Sequence, residues 1–245
     1  MEHELWFTAV LNKIFGGMIS LFLGSMGVRP SDPVHPVPNY VAMEILVVVA
    51  MVVAAVVLRR RLSVERPGRF QQLMELVLEF NRNLAEEIIG HGAERHIPIL
   101  STLGTFIVLC NLLGLLPTLE TPTAHIQVTL GCALSVFIYY NVEGVRHHGV
   151  IGYLRTFCGP MIWIAVIMFP VEIISNLARL LSLSVRLYAN MFAGGLLEKV
   201  FTGLVPIGVP VVLMALHVFV SLIQTYIFML LPAVYISMAV SEEHG

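Results

Sequence analysis

Apolar residues run through this chain in blocks that are too long for the core of a soluble domain. Five blocks read as membrane spans, at about 41–58, 97–117, 126–142, 159–202 and 206–240. A span needs roughly 17–25 such residues. Two of these blocks exceed a simple crossing. Drawn as one helix, 159–202 comes to about 60 Å, twice the roughly 30 Å of hydrocarbon. Such a helix must tilt strongly, bend or run beyond the bilayer. The last block is similarly long, with Pro206 and Pro210 at its start. The pattern therefore predicts a pair of long, steeply tilted helices forming a hairpin around Leu197–Pro206.

One segment carries a different rhythm. From Phe70 to Ile89, apolar residues recur at Leu73, Leu76, Val77, Phe80, Leu84 and Ile88, while Glu75, Glu79, Arg82 and Glu86 mark a polar side. That spacing is helical, and an amphipathic helix of this kind lies at a membrane interface. Residues 5–28 are moderately apolar but interrupted by Asn12, Lys13 and glycines, and read as an interfacial or extramembrane segment, with a membrane crossing as the alternative. Pro30 to Pro38 holds four prolines and is expected to be a loop. The predicted fold class is an all-α, polytopic membrane protein. About five membrane-embedded helices and one interfacial helix form a single unit over 41–245, preceded by an N-terminal segment over 1–40. There is no internal repeat.

Composition agrees with the pattern. The chain is 57% hydrophobic and 12% charged, against roughly 25% charged in soluble domains. A net charge of -2 gives no reason to expect nucleic acid. Cys110, Cys132 and Cys158 lie in or beside apolar blocks and fit neither a disulfide framework nor a metal spacing, so they read as small hydrophobes and no metal or cofactor is expected. The N-terminus, Met1-Glu-His-Glu-Leu-Trp6, begins acidic and lacks the features of a cleavable signal.

The distribution of charge is more informative than its total. Residues 59–95 carry Arg59, Arg60, Arg61, Arg66, Arg69, Arg82 and Arg95, and residues 143–155 carry Arg146 and Arg155 beside His147 and His148. The connection 118–125 has no Lys or Arg. By the positive-inside rule the first two are cytoplasmic and the third external. The N-terminus is then outside and the C-terminus cytoplasmic.

Inside the fourth block lie residues that a bilayer does not tolerate casually. Arg186 sits in Leu180-Leu-Ser-Leu-Ser-Val-Arg-Leu-Tyr-Ala-Asn-Met-Phe-Ala-Gly-Gly195. A guanidinium stays charged, and mid-membrane it costs about 2.5–3.5 kcal/mol on insertion scales. Glu172, Asn176, Arg179, Arg186 and Asn190 recur at helical spacing and share one line, with Ser175 and Ser182 close by. Snorkelling or a structural ion pair accounts for one arginine but not for the whole stripe. Ion movement accounts for it better. Ala189, Ala193, Gly194 and Gly195 follow on neighbouring faces, where small side chains admit a closely apposed helix. In the last block, His217, Ser221 and Gln224 share a face. Histidine titrates near physiological pH and suits a proton relay.

These residues carry a resemblance. Ser184-Val-Arg-Leu-Tyr-Ala-Asn-Met-Phe-Ala-Gly194 and Leu222-Ile-Gln-Thr-Tyr-Ile-Phe228 resemble the signature of subunit a of rotary F-type ATP synthases. Asn111-Leu-Leu-Gly-Leu-Leu-Pro117 and Thr121-Pro-Thr-Ala-His-Ile-Gln-Val-Thr-Leu130 are similar to its middle helices. The likeness covers roughly residues 40–243. It implies a stator subunit, not catalytic alone, that lies against a ring of carboxylate-bearing c subunits and beside the peripheral-stalk b subunits. Protons would pass through two half-channels, with Arg186 between them. Glu172 would belong to the cytoplasmic exit. Asn190, His217 and Gln224 would lie near the external inlet and the arginine, with Arg179, Asn176, Ser182, Ser221 and Glu198 as further pathway residues. Ala189, Ala193 and Gly194 would face the ring. The setting would be a bacterial plasma (inner) membrane.

The chain departs from the family at Gly195, where an acidic or imidazole group is common; Glu198, one turn on, is the nearest substitute. His125 and Gln127 also stand where Asp or Asn is common. Two other classes compete. A stand-alone secondary transporter would be expected to show repeated halves or matched broken helices. A non-conducting scaffold would leave the membrane arginine unexplained. No phosphate-cradling G-x-x-x-x-G-K-[ST] loop is present.

Overall fold

The computed structural model of the chain describes residues 7–13, 16–17, 37–63, 67–90, 92–114, 119–158, 162–204 and 208–240, and among them all regular structure is helical. Residues 7–13 and 16–17 belong to a first helix, α1. Then come α2 (Asn39–Arg61), α3 (Arg69–Ile89), α4 (Ile97–Leu113), α5 (Ile126–Cys158), α6 (Ile162–Leu204) and α7 (Val209–Val240). Single 3-10 turns at Ala93–Arg95 and Pro122–Ala124 lead into α4 and α5. Four of the helices, α2, α5, α6 and α7, are long and apolar enough to cross a bilayer, and α4, at 17 residues, is a shorter apolar helix. The readings placed at 18–36, 115–118 and 205–207, including the proline loop before residue 37 and the tip of the C-terminal hairpin, lie outside the described residues.

The core is built where α4, α5, α6 and α7 meet. Leu100 and Ile107 of α4, Val136 and Tyr140 of α5, Leu183, Leu187 and Met191 of α6, and Phe228 and Ile236 of α7 are all buried in one cluster. Against lipid, burying apolar surface yields little, because hydrocarbon is as apolar as leucine; close packing and polar contacts hold the helices instead. Gly104 shows the packing. A Cβ there would collide with the Met229 sulfur, so its lack of a side chain is what brings α4 onto α7. Backbone hydrogen bonds are closed within each helix, as hydrocarbon demands.

Two helices differ from their sequence reading. The polar stretch 143–155, expected as a connection, stays helical beyond 142. Its charges are paired rather than exposed as loop: Glu143, only 7% exposed at its side chain, lies 2.9 Å from Arg95 and 3.8 Å from Arg146. The break comes at Gly149, whose φ of 73° and ψ of 164° fall in a region that essentially only glycine occupies. Beyond it the chain folds back so that the Tyr153 ring packs over Gly144, and the Tyr153 hydroxyl donates to Asn141 Oδ1 at 2.9 Å. In α3, the helical periodicity is present but its apolar stripe is only partly covered. Leu84 and Ala85 are buried, whereas Leu73, Leu76 and Phe80 stay exposed. Polar residues take two of the inward positions. Gln71 donates to the Ser63 carbonyl and accepts from the Ser63 amide, which ties α3 to the end of α2; Asn81 is the other.

At the N-terminus, Asn12 clamps Val37 through two bonds, donating from Nδ2 to the carbonyl and accepting from the amide. That contact fixes where α2 begins. Replacing Gly149 by Val should destabilise the chain by about 1–3 kcal/mol, the cost of forcing a side chain into that backbone region. The readout is the thermal midpoint followed by circular dichroism in detergent. Gly131→Ala, at ordinary helical backbone and where an added Cβ meets nothing within 4 Å, should not lower the midpoint.

Candidate functional site

The site forms along α6, and α6 has two unlike faces. Leu183, Ser184, Leu187 and Met191 point into the core. Ser182, Val185, Arg186, Ala189 and Ala193 point away from it and are exposed. The 3.6-residue period makes this division unavoidable once Leu183 and Leu187 are committed inward. Among the described residues, Arg186 has neither an ion pair nor a hydrogen bond. A permanently charged side chain thus stands on the outer surface of a spanning helix, with Ser182, Val185 and Ala189 exposed beside it.

The predicted polar stripe divides into three groups. At the N-terminal end of α6, Glu172 and Arg179 lie 3.7 Å apart and are both partly exposed. The Arg179 guanidinium also sits 5.4 Å from the centroid of the Tyr235 ring of α7, a cation–π contact. Asn176 turns inward, accepting from the Tyr140 hydroxyl at 2.8 Å and donating to the Glu172 carbonyl at 3.2 Å. Arg186 stands alone in the middle, with Ser182 exposed one turn before it. Toward the C-terminal end, Asn190 Nδ2 donates to Gln224 Oε1 of α7 at 2.8 Å.

On α7, His217, Ser221 and Gln224 are all buried against α6. The Ser221 hydroxyl points to the Met191 sulfur at 3.9 Å. His217 Nε2 and Gln224 Nε2 are buried and have no hydrogen-bond partner. Burying a polar atom without a partner costs about 1–3 kcal/mol, so among the described residues these two atoms are the costly ones on this face of α7. Gly194 explains the seat of the imidazole: a Cβ there would lie 2.5 Å from His217 Nδ1. The small residues therefore serve different neighbours. Ala189 and Ala193 are open, but Gly194 lies under His217 within the chain. At Gly195 an added Cβ would meet nothing within 4 Å, and Glu198, one turn further on, bears electrostatically on His217.

Several polar contacts escaped the sequence reading. Thr123 Oγ1 donates to Asn111 Oδ1 at 2.6 Å between the second and third apolar blocks. The Thr129 and Ser184 hydroxyls meet at 3.4 Å, joining α5 to α6 two residues before the arginine. His125 pairs with Glu120 at 2.7 Å. At the other end of the bundle, His96 Nδ1 and the Tyr139 hydroxyl are 2.9 Å apart, and burial holds the His96 imidazole below its ordinary pKa. Hydroxyls and amides on apolar helices leave no periodic trace, so nothing in the sequence marked these pairs. Glu44, a carboxylate inside the first apolar block, did leave a mark and was passed over.

Comparison with known proteins bears on this arrangement directly. The family described as ATP synthase A chain matches residues 41–237. ATP synthase subunit a of Koribacter versatilis is 49% identical over the full length of both chains. That of Solibacter usitatus is 43% identical over 96% of this chain and 100% of its own. An ATP synthase subunit a from Pelobacter propionicus is 40% identical over 73% of this chain and 77% of its own. With its arginine-bearing helix, its polar partner helix and these full-length relatives, the chain belongs to the ATP synthase A chain family.

Proposed function

We propose that this chain forms the stationary wall of a proton path, with Arg186 dividing it into two half-channels and a rotating ring of carboxylate-bearing subunits as the opposite wall. Membership of the family makes it a non-catalytic, integral membrane subunit of ATP synthase. The observation that carries the reading is the exposed, unpaired guanidinium of Arg186 beside the open Ala189 and Ala193. Lipid is a poor cover for that surface, since a charge facing hydrocarbon costs several kcal/mol. A partner helix bearing a carboxylate satisfies it, and the alanines let that helix come close.

The chemistry follows from the charge. A fixed cation beside a carboxylate favours its ionised form. Arg186 therefore drives the proton off each ring site that arrives opposite it. The same charge repels a proton crossing straight between the half-channels. Lysine is a poor substitute, because a buried ammonium sheds its proton readily. On the exit side, Glu172 and Arg179 form a partly exposed pair, with Asn176 behind them. On the inlet side, His217 takes the relay position and Glu198 supplies the carboxylate that Gly195 lacks. Asn190 and Gln224, bonded to each other, brace the helices between inlet and arginine, with Ser221 beside them. At 43 residues, α6 is about 65 Å long, so α6 and α7 cross the bilayer steeply tilted. The topology is N-terminus outside and C-terminus cytoplasmic, in a bacterial plasma membrane. The b subunits of the peripheral stalk hold the chain against the turning ring.

Arg186→Ala should abolish ATP-driven acidification of inverted membrane vesicles while the assembled complex is recovered in normal yield; normal pumping would refute the role. His217→Ala should slow pumping and alter its pH profile. A slower rate with an unchanged profile would reduce His217 to a packing residue.

A further inference from the structure

A cavity of about 580 Å³ opens between α2, α4 and α5, away from the arginine-bearing face. Its wall on α2 runs from Tyr40 to Val52 and includes Glu44, Val48 and Met51. Those twelve helical steps span about 18 Å. Drawn out over that length, the cavity is a narrow slot that admits a hydrocarbon chain.

Its polarity is graded along that length. Tyr40, Glu44 and Gln127 stand at the mouth, near the first turns of α2 and α5. Among the described residues, none of the three has a side-chain hydrogen bond or ion pair. Tyr40 is held by stacking on His125, with ring centroids 4.3 Å apart, which leaves its hydroxyl available. Deeper in, the lining is apolar: Val48, Met51, Val52, Leu103 and Phe106. The two hydroxyls at that depth are already satisfied within their own helices. Thr102 donates to the Pro98 carbonyl at 2.7 Å and Ser135 to the Gly131 carbonyl at 2.9 Å. The deep end thus presents nothing that asks for water.

Depth matches this gradient. Glu44 lies three residues into the 41–58 span, about 4–5 Å below its outer edge, and a helical side chain tilts toward the N-terminus, so the carboxylate reaches up toward the headgroup layer while the valines below it lie at acyl depth.

The geometry points to a bound phospholipid whose headgroup carries a primary ammonium, with one acyl chain in the slot and the ammonium on Glu44. The Tyr40 hydroxyl and the Gln127 amide are donors placed for its phosphate and ester oxygens. Glu44 sets the headgroup: an anionic lipid without an ammonium would bring phosphate to a carboxylate with nothing between them, and a quaternary amine offers no N–H to donate. A lipid here would brace α2 against α4 and α5 and fill a void that is otherwise open beside Gly131.

The test uses the assembled complex extracted in mild detergent. Phospholipids retained on this subunit are identified by native mass spectrometry and compared with the composition of the parent membrane. The expected result is retention of phosphatidylethanolamine above its share of the membrane. Glu44→Gln keeps the shape and removes the charge, and should weaken that retention roughly tenfold, the scale of one charge-assisted hydrogen bond. Val48→Trp, which fills the slot, should abolish it. Three results would overturn the proposal: phosphatidylethanolamine retained equally by Glu44→Gln, phosphatidylglycerol retained in its place, or a cysteine at position 48 cross-linking in high yield to another polypeptide of the complex.

Discussion

A guanidinium remains charged at every pH the protein meets, and hydrocarbon does not solvate it. Most of the arrangement follows from where the chain puts that charge. Arg186 is turned out of the bundle by the same helical period that turns Leu183 and Leu187 into it. Nothing within the described chain neutralises it. The subunit alone is thus electrostatically incomplete on one face, and the alanines beside the charge leave room for what completes it. An internal salt bridge would have removed that cost, and a cation already paired would have little left to exert on a carboxylate brought beside it.

The rest of the bundle holds this face in place through polar contacts between the helices. Asn190 and Gln224 join α6 to α7 one turn beyond the arginine. Tyr140 and Asn176 join α5 to α6 on its other side. Thr129 and Ser184 add a third tie close to Arg186 itself. These bonds lie behind the outward face, so they hold α6 without touching its charge. Arg179 differs in that it is shared between a carboxylate and an aromatic ring. That arginine is a paired charge, while Arg186 has no partner among the described residues, although both lie on the same predicted line.

What could be read from the chain sorts by physics. The spans, the amphipathic α3 and the long final pair announce themselves because apolar periodicity extends over many residues. The Arg186 element and the His217–Gln224 face stood out because polar groups in hydrocarbon are costly and therefore few. The division of the stripe did not show, because spacing alone does not say which way Asn176 turns relative to Arg186 when neighbouring helices choose. Nor did the helical course of 143–148: charged residues look like a loop until Arg95 is known to lie 2.9 Å from Glu143. Gly149 marked the true break, but only a backbone at positive φ shows that this glycine, of 19, is the one that matters. Gly194 lies under the His217 imidazole of its own chain, a contact that helical spacing alone does not show.

The central claim is that the outward face of α6 at Arg186 meets a carboxylate-bearing ring helix. Disulfide formation tests it most directly, with a cysteine at Ala189, one turn beyond the arginine, and a second beside the ring carboxylate in the assembled complex. The account predicts a high-yield cross-link between the two subunits that stops ATP-driven rotation and is released by reduction. If the cysteine at 189 instead forms no cross-link to the ring and is alkylated by a lipid-phase reagent as fast in the complex as in the isolated subunit, the face is open to lipid and the account fails.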